Sequence, residues 1–224
     1  MTIGLLAPQP GIGHAESRAD VSALLDQVKA REAVLATEVN SMRFRVTETK
    51  EELDSEGKVE EVEKEIRITT PGADTNPAQR QLQKAKVKNE GEGAFSILAS
   101  SDLFEWEMRP EENLEGSPCK VLAFRPKEGV KPQNQREKVM GQMAGTYWVD
   151  AADLCCRQIV GKLTRLVSVF GFFAEVRELD FLWKGQKVPQ RVVTPQKVEY
   201  RYRAAVFPFF DTHEKHVLTY EVLP

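Results

Sequence analysis

Apolar positions recur at helical spacing from Asp20 to about Glu38, where Val21, Leu24, Leu25, Val28 and Leu35 lie near one face. Asp20 is placed to cap the first free amides of that helix. The period then changes to alternation. Met42, Phe44 and Val46 are separated by Arg43, Arg45 and Thr47, which predicts a half-buried strand with a charged tip near Asp54-Ser55-Glu56-Gly57. The return strand carries Val59, Val62, Ile66 and Ile68, and the acidic residues around the tip read as a solvated hairpin, with a docking surface for a basic partner as the alternative. Thr70 to Gln81 reads as a loop, Leu82 to Val87 as a strand or short helix ended by Gly91-Glu92-Gly93, and Ala94 to Ser101 as one or two helical turns.

Strand patterning resumes with Phe104, Trp106 and Met108 between Glu105 and Glu107. Glu115-Gly116-Ser117 has turn chemistry, and Lys120 to Phe124 is apolar enough for a strand covered on both faces. A polar connection follows from Pro126 to Glu137. Thr146 to Val149 and Leu154 to Leu166 flank Asp150-Ala151-Ala152-Asp153, which reads as a hairpin loop. The remaining strands are Ala174 to Trp183, turning at Lys184-Gly185-Gln186, then Arg191 to Ala205 and His216 to Leu223. Pro195 marks a bulge or an edge position. The sum is one main helix and about nine or ten strands linked by hairpin-length turns, an antiparallel meander without βαβ units.

Composition narrows the function classes. A chain of 224 residues is within the range that β barrels and sandwiches reach as one unit, and it needs no disulfide or metal to hold a core. The 34 acidic and 31 basic residues nearly balance, so no nucleic-acid partner is expected. No apolar run approaches the roughly 18 residues of a membrane helix. Residues 1–17 read either as a signal-peptide remnant behind a misplaced start, from the apolar run Ile3 to Ala7 and the small residues at Gly13-His14-Ala15, or as a disordered N-terminus. Residues 18–224 read as one domain. Cys119, Cys155 and Cys156 are an odd set with two adjacent members, so buried thiols are expected in place of a disulfide framework.

Little points to catalysis. Gly11-Ile12-Gly13-His14 lacks the preceding strand and third glycine of a phosphate loop. Asp211, His213, Glu214 and His216 lack the spacing of a metal site and read as a polar turn before the last strand, so no metal or cofactor is expected. Asp150 and Asp153 fit a turn better than an acid/base pair. Two aromatic clusters, Phe170-Gly171-Phe172-Phe173 and Phe207-Pro208-Phe209-Phe210, read either as plugs of a β core or as the lining or gate of an apolar cavity.

Three segments carry a resemblance: Glu115 to Lys127, with the strand ending Phe124-Arg125-Pro126-Lys127; Gly145 to Asp153, with Trp148-Val149-Asp150; and Arg157-Gln158-Ile159-Val160. In this arrangement, which is best matched from about residue 100 to 224, the chain resembles the periplasmic lipoprotein-carrier superfamily of LolA, LolB and RseB, and especially its divergent outer-membrane lipoprotein-sorting members. The resemblance implies a mainly β fold: a strongly curved antiparallel sheet forming an incomplete barrel, with an N-terminal helix and short lid helices. It also implies a periplasmic, monomeric, non-enzymatic carrier of lipid or lipoprotein acyl chains, served by a membrane-associated donor or acceptor protein. An envelope sensor or interaction module of the RseB kind is the alternative, and an unrecognised hydrolase the third reading. The apolar cavity is expected to be lined by Phe44, Phe104, Trp106, Phe124, Trp148, Phe170, Phe172, Phe181, Trp183, Tyr200 and Phe207.

Overall fold

The computed structural model describes residues 18–70, 97–169, 174–188, 192–206 and 210–224. Helix α1 spans Arg18–Val39 and is followed by the hairpin β1 (Arg43–Leu53) and β2 (Val59–Thr69). A single 3-10 turn, Ser101–Leu103, leads into β3 (Phe104–Leu114) and β4 (Ser117–Pro126). Helix α2 (Gln135–Met140) precedes β5 (Met143–Asp150), β6 (Cys156–Leu163), the short β7 (Val167–Ser168), β8 (Ala174–Val188), β9 (Val192–Val206) and β10 (Phe210–Leu223).

The strands form a single antiparallel sheet in the order β2-β1-β10-β9-β8-β6-β5-β4-β3, with β7 paired to β8. The sheet does not close into a barrel, and β2 and β3 are its edges among the described residues. Neighbours in space are mostly neighbours in sequence. The exceptions are β6, which pairs with β8 past the short β7, and β1, which pairs with β10 from Arg43 opposite Leu223 to Glu52 opposite Glu214.

Alternation sorts the strand residues into two faces, and the register joins them into rows. One row crosses all nine main strands: Trp106, Phe124, Gly145, Gly161, Phe181, Tyr200, His216, Lys50 and Glu63 are successive cross-strand partners. The adjacent row on the same face runs Met108, Leu122, Tyr147, Ile159, Trp183, Val198, Leu218, Glu48 and Glu65. Both rows are apolar over β3 to β9 and become charged on β1 and β2. This face holds the core.

Helix α1 lays its apolar stripe on that face, packing against β9 and β3. Val21, Leu24, Leu25 and Val28 join Phe104, Leu122, Phe124, Tyr147, Ile159 and Phe181 in one cluster. Burial of such side chains contributes about 1.5–3 kcal/mol each, so the docked stripe and not helix propensity fixes α1 in place. Short helical pieces add Ile97, Leu98, Leu103 and Met140 to the same cluster.

Several local readings are corrected. Asp20 lies inside the first turn of α1 and not at its N-cap position, and its carboxylate there complements the helix dipole. The polar connection after Pro126 contains α2, opened by a capping pair in which Asn134 Oδ1 accepts from Glu137 N and the Glu137 carboxylate accepts from Gln133 N. Lys184-Gly185-Gln186 is not a turn, because β8 continues to Val188. The irregularity there is a register shift beside the Gly185 and Pro195 pair, as the bulge reading of Pro195 requires. The tip after β1 is as expected, with Asp54 Oδ1 accepting from the amides of Glu56 and Lys58 and Gly57 at φ +83°. Cys119, Cys155 and Cys156 are all buried free thiols. The expectations for residues 1–17, for the loop and segment up to Gly93, and for Phe170, Phe172, Phe173, Phe207 and Phe209 fall outside the described residues.

Candidate functional site

The core face of the sheet gathers seven of the aromatic residues expected to line a cavity: Phe44, Phe104, Trp106, Phe124, Phe181, Trp183 and Tyr200. They touch in pairs. Phe104 and Phe124 meet edge to face at 5.1 Å between ring centroids, Trp106 and Phe124 are 5.5 Å apart, and Trp106 meets Tyr147 at 6.2 Å. Trp106 Nε1 donates to Ser101 O at 3.1 Å, which fixes the indole while leaving its ring on the apolar face. Trp148 stands apart from the group. Tyr147 and Val149 occupy the inward positions of β5, so alternation sends Trp148 to the opposite face, where its Nε1 donates to Glu112 Oε2 at 2.8 Å. Phe210, from the second aromatic cluster, begins β10 and is exposed.

Between α1 and the β3 edge lies a cleft of about 1320 Å³. Val21 and Leu25 wall it on the helix side, and Phe104, Trp106, Met108 and Phe124 on the sheet side, with Lys120 also lining it. A shallower depression of about 770 Å³, with Trp148, Val160 and Leu182, lies behind the thin Gly145 and Gly161 pair. The cleft is the stronger candidate, because it opens at a sheet edge and joins the aromatic row.

One polar bond ties helix to sheet across the core. Tyr147 Oη donates to Glu32 Oε1 at 2.6 Å. Burial raises the Glu32 pKa against the opposing effect of that bond, and burial also pushes the Tyr147 hydroxyl and the Cys156 thiol well up. The Tyr147 hydroxyl and Glu32 carboxyl thus meet as hydrogen-bond partners in a largely buried setting.

At the other end, the row ends in a charged cluster. His216 stacks on Tyr200 with centroids 4.6 Å apart, its Nδ1 lies 3.1 Å from Glu48 and its Nε2 2.9 Å from Glu214. Tyr202 Oη donates to Glu214 at 2.6 Å, while Arg67 and Lys50 pair with Glu48 and Glu214. Sequence patterning placed these histidines in a turn; both lie within β10, and alternation separates them. His216 faces the core side, whereas His213 receives Arg201 Nε and approaches Asp54 O, and Asp211 pairs with Arg177 and Arg203. Among the described residues no group of three or more His, Cys, Asp or Glu side chains is arranged to hold a metal ion.

Burial opposes a charge on His216, but the hydrogen bonds with Glu48 and Glu214 outweigh it and raise its pKa. The bond to His216, opposed by burial and helped by Arg67, holds the Glu48 carboxyl at about 2. The raised His216 therefore contributes stability that is complete below about pH 6.5 and is lost as pH rises through its folded pKa. The depressed Glu48 contributes stability present above about pH 4.5 and lost as pH falls toward 2. Thermal unfolding followed from pH 5 to 9 is expected to show a decline above about pH 6.5 that is reduced in His216→Gln. An identical decline in the variant would assign it to other groups.

Comparison with known proteins finds no matching family model and no matching curated protein. Solved structures with a similar layout include a putative outer membrane lipoprotein-sorting protein domain from Vibrio parahaemolyticus, 8% identical, with a TM-score of 0.38 over 88% of this chain and 89% of that one. A LolA superfamily protein from Nitrosomonas europaea is 11% identical, with a TM-score of 0.34 over 89% and 90%. The MucA/MucB complex of Pseudomonas aeruginosa contributes a chain 11% identical, with a TM-score of 0.29 over 91% and 94%. The printed names of two of them, lipoprotein-sorting and LolA superfamily, are among those that the resemblance of the segments between Glu115 and Val160 suggested. Scores this low transfer no residue's role.

Proposed function

We propose that this chain is a non-enzymatic carrier or binder of lipid or lipoprotein acyl chains, working in the periplasm in outer-membrane lipoprotein sorting. The observation that carries the reading is the cleft itself: about 1320 Å³ between α1 and a strand that is an edge among the described residues, where Trp106 and Met108, backed by the buried Phe104 and Phe124, face Val21 and Leu25, with charged side chains such as Asp26, Lys29 and Glu111 completing the lining. Each methylene taken from water into such a site contributes about 0.8 kcal/mol, so a single acyl chain supplies enough driving force for reversible binding. Release then needs only a competing acceptor of greater affinity.

The test is quenching of tryptophan fluorescence by a brominated stearoyl monoglyceride, which brings bromine only to rings beside the bound chain. Saturable quenching is expected, with most of it removed by Trp106→Phe and little by Trp148→Phe. Absence of saturable quenching would sink the reading, and quenching lost only in Trp148→Phe would move the site to the other face.

A second reading, a protein-interaction module, has its own observation. β2 is an edge strand, and its Val62, Ile66 and Ile68 share one face while 57%, 60% and 59% exposed. An apolar stripe beside an edge that is unpaired among the described residues is a surface on which a partner strand can add.

A further inference from the structure

Lys120 is out of keeping with its surroundings. It lies on β4, opposite Val149 and two residues from Leu122, both of which belong to the buried core. Alternation therefore turns its stem to the core side of the sheet, at the end of the row that Phe124 and Leu122 begin. The other cations of the cleft wall are either paired or, like Arg18, Lys29 and Lys127, exposed. Arg125 pairs with Glu105 at 2.7 Å and Arg109 with Glu107 at 3.1 Å, all at positions alternating with the inward Phe104, Trp106 and Met108. Lys120 is half-buried, lines the cleft, and has neither an ion pair nor a side-chain hydrogen bond among the described residues. A lysine ammonium carries three donors, and a half-buried one without an acceptor retains both charge and bonding capacity for a ligand.

We propose that the cleft takes an amphiphile with an anionic head, the acyl chain lying along Met108, Trp106 and Phe104 and the head pairing with Lys120. This rests on the acyl-binding reading above and adds the chemical class of ligand. The anion is the carboxylate of a fatty acid or the phosphate of a lysophospholipid; either accepts from an ammonium, and the chain length fixes the apolar part.

The experiment measures displacement of a fluorescent acyl probe by oleate, by oleoyl lysophosphatidate and by uncharged oleyl alcohol. At least one anionic ligand is expected to bind about tenfold more tightly than the alcohol, the size of one charge-assisted hydrogen bond. Lys120→Met is expected to abolish that preference, so that anion and alcohol displace the probe equally, and Lys120→Arg to keep it. The tighter of the two anions identifies the head. Equal binding of charged and uncharged chains, or a preference that survives in Lys120→Met, overturns the assignment and leaves the acyl-binding reading standing. Failure of all three ligands to displace the probe overturns both.

Discussion

Asp150→Ala is expected to lower folding stability by about 3–5 kcal/mol, seen as a drop in the urea midpoint without a change in slope. The side chain is only 2% exposed and does two jobs. Its Oδ1 accepts from the amides of Ala152 and Asp153, both at 3.1 Å, and so shapes the turn between β5 and β6, in which Leu154 takes φ +52°. Its Oδ2 lies 2.8 Å from Lys187 Nζ and 3.8 Å from the Arg157 guanidinium. Burial raises the Asp150 pKa, yet Lys187 and the turn amides more than offset it, so the carboxyl stays below its ordinary value.

Removing it leaves Arg157, itself 7% exposed, with Glu115 at 3.7 Å as its remaining counter-charge among the described residues. An uncompensated buried cation is the expensive outcome. Asp150→Asn keeps an acceptor for the turn and loses the charge, so its loss should fall between wild type and alanine. Equal losses for the two variants would mean that the charge contributes little and the turn nearly everything.

Gly161→Ala and Gly145→Ala are expected to be the next most damaging changes, and to differ in whether they can be rescued. A Cβ on Gly161 would lie 2.5 Å from Phe181 Cε1 and 3.3 Å from Phe124 Cζ, so the obstruction is made of rings. A Cβ on Gly145 would meet the carbonyl oxygen of Val160 as well as Phe124 Cζ, and a backbone carbonyl in a sheet cannot step aside. Overpacking of this kind costs about 1–3 kcal/mol, with Gly145→Ala at or above the upper end. Phe181→Leu should recover part of the loss in Gly161→Ala, whereas Phe124→Leu should recover little in Gly145→Ala. Thermal melts of the four variants and the two double variants decide this, and equal rescue at both sites would refute the distinction.

The same glycines show what was legible in the sequence and what was not. The inward positions of β1, β3 and β4 follow from alternation, because Phe44, Phe104, Trp106 and Phe124 each stand between polar neighbours or within an apolar run. Trp148 was harder to place because it adjoins Tyr147, and two adjacent strand residues cannot both face the core. The inward parity belongs to Tyr147 and Val149, and only the register of β4 with β5 decides it. Gly185 looks like a turn signal, but its missing side chain makes room for Trp183 and Val193 within a continuous strand.

The charged cluster at the far end of the row was hidden for a different reason. Glu48, Lys50, His216 and Tyr202 come from three strands, and no spacing within any one of them records the meeting. The Asn134 to Glu137 capping pair has a readable spacing, but it lies within a polar stretch whose composition resembles a loop. Lys120 likewise needed the register, since alone it resembles any solvent-facing lysine beside an apolar run.

The pairing of β1 with β10 also sets the order in which the molecule becomes itself during synthesis. Arg43 pairs opposite Leu223, so the hairpin of β1 and β2 gains its neighbour only once β10, far along the chain, has formed. Contacts so distant along the chain slow folding, since loop closure must precede any reward. Until then α1 also lacks β9, one of the strands it packs against. A folding chain in which β1 and β2 have formed and β10 has not exposes a bare strand edge, so its folding yield should depend on chaperone supply.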